Sequence, residues 1–306
     1  MKKVFLLLLV SIVIVGCIKR DEQGRKIKNR LVVVATTGMI ADLVKEIGGP
    51  QAEVVGLMGP GIDPHLYKAS EGDVRRLSSA DIIFYNGLNL EGEMGDVLVT
   101  MSRTRPVVSI SKAINPSLLR EPPGFKGHYD PHIWFDVTLW MKAADKVRDT
   151  FVEHLPQYKA QILERAMNYH HQLLNLHNWI KQEIGSIDKT RRVLVTAHDA
   201  FGYFGREYGM DVVGLQGIST EREAGVGDVN RIVDLILSRK IKAIFVETSV
   251  PRSTIEAVRA ACKAKGHEVK IAGTLFSDAM GMTGTREGTY IGMLRSNVAT
   301  IVLALR

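Results

Sequence analysis

Residues 158–184 read YKAQILERAMNYHHQLLNLHNWIKQEI. Within them Ile162, Ala166, Tyr169, Leu173, Ile180 and Ile184 recur near the helical period. A helix of this length would extend for about 40 Å. That is long for an element inside one lobe and enough to run along two. Pro156 interrupts the helical pattern, which extends back to Val137.

The flanking sequence has a different pattern. Leu31–Thr37, Ala52–Met58, Asp81–Gly87 and Val107–Ser111 are short β-branched runs, separated by helical stretches such as Met39–Ile47 and Ser70–Ser79. After the long helix the alternation resumes with Arg192–Ala197, Asp211–Gln216, Ala243–Thr248 and Glu268–Gly273. Strands alternating with helices predict βαβ units and a mainly parallel sheet. Val54-Val55-Gly56-Leu57 recurs as Val212-Val213-Gly214-Leu215, a weak internal repeat. The fold class is therefore α/β, with two similar lobes bridged by one long helix. The divisions are 31–156 for the N-terminal lobe, 157–185 for the linking helix and 186–306 for the C-terminal lobe.

The chain has 306 residues and a formal net charge of +7. Residues 1–30 supply eight basic and two acidic side chains, so the remainder is nearly neutral. This distribution gives no basis for a nucleic-acid partner. Met1-Lys2-Lys3 followed by the apolar run Val4–Val15 is too short to span a bilayer, which takes roughly 20 residues. It fits an export signal over residues 1–16. Ile14-Val15-Gly16-Cys17 resembles a bacterial lipoprotein box, with Cys17 lipidated and residues 17–30 a basic tether. The alternatives are a plain cleaved signal or a single-pass anchor. The expected location is periplasmic or cell-surface. With two cysteines the chain cannot be a disulfide scaffold, and Cys262 fits a buried helical position.

Asp-Pro-His occurs twice, at Asp63-Pro64-His65 and Asp130-Pro131-His132, in loops beyond predicted first-lobe strands. Proline restricts itself and the residue before it, so the Asp can take a defined place relative to the imidazole. A carboxylate holding the far ring N–H is a common support of a metal-bound His. His198 ends a second-lobe strand, and Asp278 follows another. Ligands in open α/β folds bind beyond such strand ends. His65, His132, His198 and Asp278 are thus candidate ligands for a borderline divalent metal. Asp63, Asp130, Asp199 and Glu247 are candidate supporting carboxylates. His128 lies near an opening mouth, whereas His154, His170, His171, His177 and His267 read as solvated or packing residues.

These motifs resemble the TroA-type receptors, the cluster A-I solute-binding proteins of bacterial zinc and manganese ABC importers. The resemblance rests on Gly38–Asp42, Gly59–His65, Asp130–Asp136, Thr196–Phe204 and Leu275–Gly281, in family order. It implies two lobes, each a mainly parallel four-stranded sheet with surrounding helices, and one rigid backbone helix. It also implies one bound Zn²⁺ or Mn²⁺, with Fe²⁺ a further candidate, and a monomer working with a cognate ABC permease rather than an enzyme. The family's four ligand positions match His65, His132, His198 and Asp278. Manganese-selective relatives often have Glu where this chain has His198. The His-rich loop of many zinc receptors is essentially missing from Asn115–Tyr129. Two competing readings are a metallohydrolase using the same residues and a surface adhesin lipoprotein with incidental metal.

Overall fold

The computed structural model describes residues 30–306. The expected export signal, Cys17 and the tether up to residue 29 lie outside the described residues.

The first half carries β1 (Leu31–Ala35), α1 (Gly38–Gly48), β2 (Ala52–Gly56), α2 (Glu71–Ser79), β3 (Ile82–Tyr85), α3 (Gly95–Ser102) and β4 (Val107–Ser109). The strands form one parallel sheet in the order β2-β1-β3-β4. Its central strands are apolar on both faces, as burial beneath two helical layers requires. Leu31, Val33, Ala35, Ile82 and Phe84 enter one core, while Val34 and Ile83 enter another on the opposite face. Side chains alternate across a strand, so consecutive residues serve different layers. Thr37 caps α1 by accepting from the Ile40 amide, and Ser70 and Asp73 form a capping box on α2.

The helical centre divides in two. α4 (Val137–His154) starts at Asp136, whose carboxylate accepts from the Thr138 amide. α5 (Lys159–Gly185) is 27 residues long. A 3₁₀ turn at Pro156–Tyr158 separates them, because proline cannot continue the hydrogen-bond ladder. All six residues of the predicted stripe are buried on α5, joined by Leu176 and His177. The second half holds β5 (Val193–His198), α6 (Gly202–Tyr208), β6 (Asp211–Gln216), α7 (Val226–Arg239), β7 (Ala243–Glu247), α8 (Ser253–Ala264), β8 (Lys270–Leu275) and α9 (Tyr290–Leu305). α5 packs against α1 and α4 from the first half and against α6 and α9 from the second. Leu173 is fully buried in this seam. Leu173→Ala should cost about 2–5 kcal/mol. Urea unfolding would measure it, and a loss under 1 kcal/mol would mean that α5 does not anchor the core.

The second sheet departs from the sequence expectation. Its strands form two hydrogen-bonded parallel pairs, β5–β6 and β7–β8, rather than one four-stranded ladder. β5 still lies beside β7. At their ends the His198 amide donates to the Glu247 side chain at 2.9 Å. A register shift at Ile244/Phe245 further distorts the β7–β8 pair. β8 also begins two residues later than the β-branched run suggested, where Lys270 meets Ala243 on β7. The internal repeat occupies equivalent places, since β2 pairs with β1 as β6 pairs with β5. Gly214 is needed there because a Cβ would collide with the backbone of Asp199.

Candidate metal centre

Each of the four predicted side chains stands where a strand or loop ends between the two halves. His65 follows the Gly59-Pro60-Gly61 turn, where Gly61 has φ 73°, a conformation glycine adopts without strain. The Asp63 carboxylate then accepts from the His65 amide at 2.9 Å. The second Asp-Pro-His repeats this turn, with Asp130 accepting from the His132 amide at 3.0 Å. His198 is the last residue of β5, and Asp278 lies three residues beyond β8. The Trp134 indole donates to the Ser277 carbonyl at 3.0 Å, tying the Asp278 loop to the segment after His132.

The four side chains converge. His65 and Asp278 are 2% exposed, and His132 and His198 are 0% exposed. One ligand atom from each lies within 4.8 Å of all the others. His65 Nε2 is 3.3 Å from His132 Nε2. Asp278 Oδ1 is 3.4 Å from His132 Nε2, while Oδ2 is 3.1 Å from His198 Nε2 and 3.9 Å from His65 Nε2. Ligands at about 2.1 Å from a tetrahedral ion sit about 3.4 Å apart. The donors therefore stand close to the spacing of one ion's ligand shell. His198 Nε2 and both Asp278 oxygens are buried with no aligned hydrogen-bond partner. Buried polar atoms without partners are costly, and a cation among these donors would satisfy them.

The supporting carboxylates divide into two pairs. Asp130 Oδ1 is 2.8 Å from His132 Nδ1, and Glu247 Oε2 is 2.6 Å from His198 Nδ1, although the second contact is poorly aligned. Both fix the ring so that Nε2 faces the centre. Asp63 does not hold the His65 ring. Its second oxygen accepts from the Thr220 hydroxyl at 2.6 Å, a bond between the two halves. Asp199 instead lines a cavity of about 640 Å³ beside Phe125 and Gln216. Burial raises the pKa of both Asp63 and Asp199. His128 is exposed and rests against Phe125 rather than entering the centre. His177 packs on Tyr208, with Nδ1 3.2 Å from the phenol oxygen.

By themselves the four side chains divide their protons unequally. Burial opposes charge on all three rings. For His65 it prevails, with further opposition from His132 and His198, and the pKa falls to about 3. For His132 the hydrogen bonds to Asp130 and Asp278 outweigh it and raise the pKa to about 9. His198 is raised well above its ordinary value, burial being outweighed by Glu247 and Asp278. Asp278 stays ionised despite its burial, held well below the usual range by His198 and His132. One carboxylate cannot support three neighbouring imidazolium ions, and His65, which has only Asp278 among its causes of a raised value, stays neutral.

Four buried donors between two α/β halves joined by a long helix define a receptor-type centre that could hold one metal ion. The chain belongs to the ZnuA family, zinc-uptake complex component A periplasmic, whose profile matches residues 33–304. It is 46% identical over 299 residues to the manganese-binding lipoprotein MntA of Bacillus subtilis (strain 168), covering 98% of this chain and 97% of that protein. It is 47% identical over 274 residues to the zinc-binding protein TroA of Treponema pallidum (strain Nichols), covering 90% of this chain and 88% of that protein. The solved structure of that periplasmic zinc-binding protein superposes with a TM-score of 0.88, over 90% of this chain and 99% of the other.

Sequence reasoning passed over three residues around the centre, namely Arg120, Thr220 and the hydroxyl of Tyr203. Arg120 pairs with Asp130, and the Tyr203 hydroxyl donates to the Asp130 carbonyl at 2.9 Å. Tyr203 belonged to a quoted motif, but nothing local to Arg120 or Thr220 marks them.

Proposed function

We propose that this chain captures one divalent transition-metal ion between its lobes and delivers it to the permease of an ABC importer. His65, His132, His198 and Asp278 are the ligands, and Asp130 and Glu247 orient two of the rings. The reading rests on the convergence of four buried donors within 4.8 Å in a member of this family. Lobes of residues 31–156 and 186–306, joined by the linking helix 157–185, act as the two jaws of a monomer. An exported chain, lipidated at Cys17, would hold the receptor beside its permease, and the basic tether would rest on anionic headgroups. Lipoprotein and periplasmic relatives support the export part of this reading.

Protein purified without chelators should carry one ion per chain by elemental analysis. Competitive titration should rank Zn²⁺ above Mn²⁺, because imidazole-rich sites follow the general affinity order. Mn²⁺ uptake would then depend on which ion is available. Tight binding of none of Zn²⁺, Mn²⁺ and Fe²⁺ would reject the receptor. The hydrolytic reading is weaker, because catalytic zinc sites keep a ligand position for water, whereas these four buried donors would by themselves fill a tetrahedral shell.

A further inference from the structure

Arg120 lies in the loop after β4, and its guanidinium crosses to the second half. It occupies the space that a side chain on Gly202 would fill at the start of α6. From there it pairs with Asp130 Oδ2, whose other oxygen is 2.8 Å from His132 Nδ1. The loop is pinned from three sides. The Arg120 amide donates to the Tyr203 phenol oxygen at 3.0 Å, the phenol donates to the Asp130 carbonyl, and the Asp130 amide donates to the Arg120 carbonyl. Asp130 is fully buried and the Arg120 side chain is 24% exposed. His198 is supported differently, since Glu247 pairs with no arginine or lysine among the described contacts.

Charge counting shows what this asymmetry does. With neutral imidazoles, the groups touching the centre or its supports are Asp278, Asp130 and Glu247 against Arg120. Asp63, repelled by Asp278, and Asp199, repelled by Asp130, lie partly buried beside them and add to the negative side. Arg120 is the cation among these groups, so it lowers the pocket's negative charge by one unit. Buried charge is costly unless it is balanced, so each unit of mismatch weighs on affinity.

We propose that Arg120 holds the negative charge of this centre one unit lower and thereby favours divalent over trivalent ions. Without it the pocket would be one unit more negative, and the added attraction grows with the charge of the ion. The inference rests on the metal-receptor reading. Arg120 is a positioning and charge-setting residue and touches no ion itself.

The test compares affinities for Mn²⁺ and for Ga³⁺, supplied as its nitrilotriacetate chelate, in purified protein. Arg120→Gln should shift the Ga³⁺/Mn²⁺ affinity ratio toward Ga³⁺ by roughly tenfold or more. Arg120→Lys keeps the charge and should restore the ratio. Gly202→Ala leaves Arg120 in the chain but takes the space of its guanidinium, and should shift the ratio in the same direction as Arg120→Gln. This variant decides the matter if Arg120→Gln does not fold. A purely structural role for Arg120 would weaken both ions equally, and an unchanged ratio in the folded variants overturns the proposal. A wild-type protein that binds neither ion would instead overturn the receptor reading.

Discussion

Asp278→Asn is expected to lower the affinity for Zn²⁺ or Mn²⁺ by roughly two hundred- to several thousand-fold. Removing one partner of a buried charge pair costs about 3–5 kcal/mol. Asp278 is the one anionic ligand of the proposed set, and both of its oxygens face the imidazoles at 3.1–3.9 Å. Asparagine keeps the shape and one oxygen donor, so the change reads charge rather than volume. Isothermal titration at fixed pH measures it. A loss below tenfold would show that the ion lies elsewhere. The variant should also bind metal with a weaker pH dependence, since Asp278 helps to raise the pKa values of His132 and His198.

Metal should stabilise the protein strongly at pH 8 and hardly at all at pH 6. At a free ion concentration about a thousand times the dissociation constant, mass action contributes about 4 kcal/mol. For a chain of this size that is a rise of roughly ten degrees in melting temperature. Protons compete for the same nitrogens. The His132 pKa is raised from 6.5 to about 9 in the metal-free fold. A group raised in this way stabilises the metal-free protein fully below 6.5, and that contribution fades as pH climbs through about 9. The metal-bound ring carries no proton on Nε2, so acid favours the empty protein. Each proton that must leave costs about 1.4 kcal/mol per pH unit. Two such protons, on His132 and His198, would remove the stabilisation between pH 8 and pH 6 at constant free ion. Scanning fluorimetry with buffered metal would show it, and equal shifts at the two pH values would contradict the proton competition.

Much of this arrangement is legible in the sequence, for identifiable reasons. β1 reads as a strand because burial on both faces demands a continuous apolar run, and α5 reads as a helix because its buried stripe keeps the helical period. The candidate ligands stand out because each follows a strand or sits in a proline-restricted turn. What the sequence hides lies in contacts between distant residues. Asp63-Pro64-His65 and Asp130-Pro131-His132 are the same tripeptide and fold into the same turn, yet only Asp130 reaches its own imidazole ring. The Asp63 carboxylate is drawn away by Thr220, 157 residues along the chain. Arg120 reaches Asp130 within its own loop, but Gly202 and Tyr203 on the opposite half decide where it lies. The His198 amide likewise donates to the side chain of Glu247, 49 residues further on. No window of local sequence records that contact.

The donors' near-complete burial, 0–2% exposed, also governs time. A competing chelator in solution cannot approach an ion held among them while the halves stay together. Escape must wait for the protein to part, and once that opening becomes the slow step, more chelator will not hasten it. On the proposed reading the chain would set the residence time of its cargo by its own breathing, and a permease docked against the two halves would shorten that time without touching the ion.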